Sequence, residues 1–392
     1  MTDSTQAAAA PANPQDEMLP FLNNFHDVFT TIGVLILFGG LAVGAGQVMS
    51  SLNINEGEQN WQYVLMALIA GIGLVSWMLS SLLVGKQRRI LPGIVLSGAF
   101  SITSAIVLIW AYAQFLIHGV GLDEAMVENP AMAAEGMEFG PEAVALVLAE
   151  IPWSLRIMPV VMGLAFFLPA AIYYLRFRLP FAGGIAGAGL VGLGVLTFFM
   201  LDPYAVAINL PAVNVAAGGA LLLAGIVFDM RDPDRSTRLS GTAFWLHFFA
   251  APILLAAVMN VTQVGWTLEA TDFDNFEQTN LIAAMASDSA NASALAAVAL
   301  LVIGAFALVS LLINRRALIV SGLLTAGIAI SVIVGDAGLD AGAVVAVTML
   351  LLGGTVVLLG AAWNPVRRML LTPFPSSGPL ARLFPPASGA VG

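Results

Sequence analysis

No cysteine occurs in the 392 residues. That absence excludes disulfides, thiolate metal sites, iron–sulfur ligation and cysteine nucleophiles. Histidine is scarce as well: His26, His118 and His247 are the three in the chain, too scattered to define a metal or haem centre. Charged residues make up 10% of the total, against roughly a quarter in soluble domains. Lys and Arg are missing altogether before Lys86, so the N-terminus lacks the basic region that opens a signal peptide. There is no zinc signature, nucleophile elbow, nucleotide-binding loop or pair of carboxylates within an apolar run. These absences argue against an enzyme, a resident cofactor and a nucleic-acid partner.

What the chain does have is apolar length. Hydrophobic residues are 59% of the sequence, and a bilayer-crossing helix needs roughly 20 of them in succession. Ten such runs are found, at 28–49, 61–84, 91–116, 158–174, 181–201, 205–228, 242–264, 292–313, 317–335 and 341–362. The expected fold is an all-α integral membrane protein, a bundle of about ten transmembrane helices. Residues 1–20, rich in Ala, Pro and polar side chains, read as a disordered cytoplasmic tail, 21–364 as the transmembrane domain and 365–392 as a cytoplasmic C-terminal tail.

The basic residues orient the bundle. With the N-terminus inside, 13 of the 14 Lys and Arg fall on inner connectors or the C-terminal tail, and only Arg156 falls outside. The positive-inside rule then places both termini on the cytoplasmic side. The outer loops are acidic. One of them, 117–157, contains Pro141 at a helix-starting position followed by Val144, Leu148 and Ile151, the pattern of a short interfacial helix with Trp153 as its headgroup anchor. The other, 265–291, contains DFDNFE at 272–277. It lacks the Gly and distal Glu of an EF-hand loop and reads as solvated acid.

Two arginine-pair turns resemble one another. GKQRRILPGI at 85–94 and INRRALIVSG at 313–322 each lead into a helix rich in small residues. A parallel internal repeat relating spans one to four with seven to ten is one reading; selection for inner positive charge at any turn is the other. Gly40 with Gly44, and Gly183 with Gly187, have the spacing that lets helices approach closely.

The chain is organised around residues 228–255. Three arginines (Arg231, Arg235, Arg238) and three aspartates (Asp229, Asp232, Asp234) share this inner connector, and an apolar run with Trp245, His247 and Pro252 follows. The arginines are expected to pair with the aspartates and with anionic lipid headgroups, and Ser236, Thr237 and Ser240 are each able to cap the next helix. Pro252 predicts a kink one turn beyond His247. His247 stands among Ala243, Ala250 and Ala251, on a face suited to another helix. It is the one titratable residue well inside a span, and with Asn209 and Asn214 it forms the candidate intramembrane polar site. Two readings stay open for His247: part of a solute path, or an imidazole hydrogen-bonded across to a neighbouring helix.

Four motifs carry a resemblance over nearly the whole chain. They are NFHDVF at 24–29, RRILP at 88–92, the D-x-x-D-x-x-R-x-T-R-x-S-x-x-A-F-W-L-H-x-x-A-A-P run from Asp229 to Pro252, and W-x-P-x-R at 363–367. Together they resemble a family of uncharacterised polytopic proteobacterial inner-membrane proteins. The resemblance implies a shared architecture and brings no activity with it. A transporter or channel-like protein for a small solute is the leading expectation, and a non-catalytic membrane scaffold or sensor is the alternative.

Overall fold

Proline sets where the helices start. The structure, a computed structural model, describes residues 25–51, 60–121, 140–233, 235, 237–266, 292–375 and 378–385. The tail at 1–20, the acidic stretch at 272–277, Asp234 and Ser236 lie outside the described residues. Fourteen helices follow in order: α1 (Phe25–Ser51), α2 (Trp61–Ser80, prolonged by a π-helical turn Ser81–Lys86), α3 (Leu91–Gln114, prolonged likewise by Phe115–Val120), α4 (Pro141–Glu150), α5 (Trp153–Arg156), α6 (Met158–Phe177), α7 (Pro180–Leu201), α8 (Pro203–Ile208), α9 (Leu210–Arg231), α10 (Arg238–Val264), α11 (Ala292–Ile313), α12 (Ala317–Asp336), α13 (Ala341–Leu371) and α14 (Pro379–Leu383). Seven of them, α3, α4, α6, α7, α8, α9 and α14, have proline in their first two positions. There the missing N–H has no carbonyl to meet and the fixed φ favours the helix.

Among the described residues there is no strand, and nine helices are long and apolar enough to cross a membrane. The tenth, α12, is bent by 45° between Leu323 and Thr325. The protein is thus an all-α polytopic membrane protein of about ten spans. The expected interfacial helix is α4, with Pro141 as its first residue. Pro252 leaves α10 a single continuous helix from Arg238 to Val264, and its ring side is exposed.

α10 is the most enclosed span and packs on α7, α9, α11 and α12. Glycine allows that closeness on α7. A Cβ on Gly184 would collide with Trp245 Cβ, and one on Gly187 with Leu246 Cδ2. Gly40 and Gly44 on α1 have nothing within 4 Å, so the same spacing there marks no packed interface among the described residues.

The turns at the arginine-rich end have a common construction. Arg88, Arg178, Arg235 and Asn314 have φ between 52° and 56°, in the left-handed region normally given to glycine. Arg88 and Asn314 stand in matching places. Each is followed by an arginine whose N–H reaches back into the preceding helix, Arg89 to the Leu83 carbonyl at 2.9 Å and Arg315 to the Ser310 carbonyl at 2.8 Å. The next helices begin at Leu91 and Ala317, three residues after the left-handed residue in both cases. α1 packs on α3 as α10 packs on α12. A parallel repeat offset by six spans is compatible with this, with Arg89 matching Arg315, although Arg89 takes its carboxylate from α1 and Arg315 takes its own from α9.

The last long helix continues past position 364. α13 continues to Leu371 because Trp363, Arg367 and Leu371, four residues apart, give its final turns one buried face. Arg367 donates to the Leu311 carbonyl at 3.0 Å and to the Pro385 carbonyl. Beyond it α14 packs on α9, and Phe384 joins the cluster of Ala251, Ile313 and Leu318.

Candidate functional site

Asp229 continues α9 directly from Phe228, so it belongs to the helix and not to the connector that follows. Its carboxylate is met by Arg315, from the turn between α11 and α12. Nε lies 3.1 Å from both Oδ1 and Oδ2, and Nη2 donates to Oδ1 as well. The same Nη2 donates to Ser240 Oγ at 2.8 Å, near the start of α10. Arg315 is 2% exposed. A planar guanidinium is suited to this role, because its fork matches the two carboxylate oxygens while a further N–H remains for the hydroxyl.

His247 completes the network. Its Nε2 is 3.0 Å from Asp229 Oδ2, and the side chain is fully buried. A carboxylate only accepts, so Nε2 carries the proton. Nδ1 is buried with no hydrogen-bond partner. The ring fits because α9 has glycine opposite it: a Cβ on Gly225 would stand 2.7 Å from His247 Cε1 and 2.9 Å from Nδ1.

The structure does not gather the three expected polar residues. Asn209 stands just before the far end of α9 without a side-chain capping bond to it, and its Nδ2 donates back to the Ala205 carbonyl of α8 at 2.8 Å. It precedes Gly225 by 16 residues, roughly 24 Å along the helix at 1.5 Å per residue. Asn214 precedes Gly225 by 11 residues, roughly 16 Å by the same rise. His247 therefore shares its site with Asp229, Arg315 and Ser240 instead.

The connector arginines also have work that their spacing did not reveal. Arg235 Nη2 donates to the carbonyls of Ile313 (3.3 Å) and Asn314 (2.8 Å), at the end of α11. Arg238 Nη1 donates to those of Phe177 (3.3 Å) and Arg178 (3.2 Å), at the end of α6. Helix C-termini expose unpaired carbonyls and a partial negative charge, and both arginines answer them. Arg231 is exposed at the end of α9. Asp232 accepts from the N–H and the hydroxyl of Thr237 at 2.9 and 2.7 Å, while Thr237 caps α10.

A second carboxylate–arginine contact lies at the same end. Asp27 on α1 is buried, with Oδ1 3.3 Å from Arg89 Nη1 and Oδ2 accepting from Ile90 N at 3.3 Å. Arg89 also donates to Thr30 Oγ1 at 3.0 Å. Sequence reasoning singled out neither Asp27 nor Arg315 as site residues. The available signal was the equivalence of the two arginine turns, since Arg89 reaches Asp27 and Thr30 on α1 and Arg315 reaches Ser240 on α10. No group of three or more His, Cys, Asp and Glu side chains able to hold a metal is found among the described residues. No family model, curated protein or solved structure matches the chain.

Proposed function

We propose that the protein is a transporter or channel-like protein for a small solute, in a bacterial inner membrane with its arginine-rich end and both termini in the cytoplasm. In this reading Asp229, His247 and Arg315 form its closure on the cytoplasmic side. One observation carries it: three ionisable groups are enclosed together where α9, α10 and the α11–α12 turn meet, and His247 Nδ1 has no partner. Ionisable groups enclosed in a span mark solute or proton pathways more often than they serve as glue. A buried ion pair seldom adds net stability over apolar packing, so its presence favours a switching role. Anionic lipid headgroups at Arg231 are part of the same reading.

The alternative, a non-catalytic scaffold or sensor, has its own supporting observation. His247 is held by Asp229, and the asparagines stand far from it along α9. Flux separates the two. Wild-type protein in vesicles is assayed against cations, small acids and neutral osmolytes, followed by Asp229→Asn and His247→Gln. Transport expects a solute that moves and a rate that changes in both variants. No flux with any solute leaves the scaffold.

A further inference from the structure

A groove of about 310 Å³ runs between α3 and α6 at the end opposite the arginine turns. Leu108, Tyr112 and Phe115 of α3 face Val161, Ala165 and Leu168 of α6 across it. Ala165 forms its floor at 2% exposure, whereas Leu108, Phe115 and Leu168 leave its rims open to the surrounding hydrocarbon. From Val161 to Leu168 the helix rises roughly 10 Å, so the groove is a slot along the bundle wall.

The mouth of the slot has different chemistry. α5, with Trp153 and Arg156, sits just above Val161 and is fastened to the groove by Tyr112, whose hydroxyl donates to the Ser154 carbonyl at 2.5 Å. Trp153 is exposed, and the Arg156 guanidinium carbon lies 5.8 Å from its ring centroid. Arg156 Nε is enclosed without a hydrogen-bond partner, and Arg156 belongs to none of the ion pairs found among the described residues. It is also the one basic residue of 14 outside the arginine-rich end. Positive-inside selection therefore does not explain it.

We propose that this is a binding site for one anionic phospholipid of the adjoining leaflet, with an acyl chain in the slot and the phosphate on Arg156. A lipid-facing slot with apolar walls is suited to hydrocarbon, because a polar solute there would lose its hydration without gaining partners. An interfacial Trp beside a guanidinium that has no carboxylate partner among the described residues, at the slot's upper end, is suited to a phosphate, which Arg binds through two parallel N–H groups. The distance from Arg156 to the slot is five residues, so one lipid reaches both. This assignment stands apart from the transport reading.

Native mass spectrometry of the full chain in detergent, titrated with dioleoylphosphatidylglycerol, tests it. The expected result is a single-lipid adduct that weakens about tenfold in Arg156→Gln, is lost in Val161→Trp and in Ala165→Phe, and is weaker with dioleoylphosphatidylcholine. Arg156→Gln leaves the lining of the slot untouched, so it decides the matter even if a slot-filling variant fails to fold. An adduct unchanged in Arg156→Gln overturns the phosphate contact. One abolished by soluble glycerol phosphate overturns the acyl slot, and one lost instead in Arg231→Gln places the lipid at the other end and overturns the site.

Discussion

His247 and Gly225 are in direct contact, with the imidazole edge filling the space that a side chain on α9 would take. Gly225→Ala therefore forces the ring away from Asp229 or the helices apart. An overpacked site of this kind costs about 1–3 kcal/mol, to be read as a lowered melting temperature in detergent. Gly40→Ala is the control. Nothing lies within 4 Å of that position, and alanine's helix preference should leave the melt unchanged or raised by up to about 1 kcal/mol.

Asp229 and Arg315 come from positions 86 residues apart. Asp229→Asn leaves a nearly inaccessible guanidinium without its counter-charge and should destabilise by about 3–5 kcal/mol. Asp229→Leu combined with Arg315→Met should cost less than either single change, since no buried charge is then left alone. A thermodynamic cycle over the singles and the double measures the coupling; additive losses would show that the pair acts only through its separate packing.

The connector arginines separate by role. Arg235→Gln and Arg238→Gln should each lower thermal stability in zwitterionic lipid, because each leaves helix-end carbonyls without their donor. Arg231→Gln should leave the melt unchanged and weaken retention on anionic bilayers by about 1 kcal/mol at most. Equal effects from all three in one assay would contradict the division.

Orientation is open to a direct test because the chain has no cysteine. Single cysteines at Ser236 and Ser287 are exposed to an impermeant thiol reagent in intact cells. Ser287→Cys should label at once and Ser236→Cys only after permeabilisation; the opposite pattern inverts the bundle.

Arg88 is exposed, with φ of 56°. Glycine adopts that conformation without the clash that a Cβ brings. Arg88→Gly should raise the melting temperature, by up to about 1 kcal/mol in stability, although it removes a topological charge. A drop would show that the guanidinium's attraction to the helix end outweighs the backbone strain.

The spans were legible because apolar length is a one-dimensional quantity. Runs near twenty residues are visible without knowing any partner, and α10, the helix that follows the connector, is the centre of the packing. Partner choice was not legible. Asp229 reads as a member of a local charge cluster, yet its partners are Arg315 and His247, because the helix continues through it and turns it away from Arg235 and Arg238. The arginine turns gave a correspondence one residue out of place. Sequence matches Arg88 with Arg315, whereas the backbone matches Arg88 with Asn314, since the conserved feature between the turns is the left-handed residue and not the charge. Helix-end carbonyls leave no mark in a sequence, so arginines that serve them look like arginines meant for lipid. The α14 contact was hidden for a similar reason: a five-residue helix is too short for periodicity to show its apolar side.

The connector between α9 and α10 grips helix ends on two sides of the bundle, Arg238 on α6 and Arg235 on α11. A strap of this kind makes the arginine-rich end a single stiff plate, in which α6, α9, α10 and α11 translate or rotate only together. Relative motion is then easiest away from the strapped end, chiefly in the segment of α12 beyond its 45° bend and in the first turns of α13, whose last turns Arg367 ties to α11. Distances measured between spin labels should accordingly vary little between α6 and α11 at the strapped end and most between α13 and α10 at the opposite end.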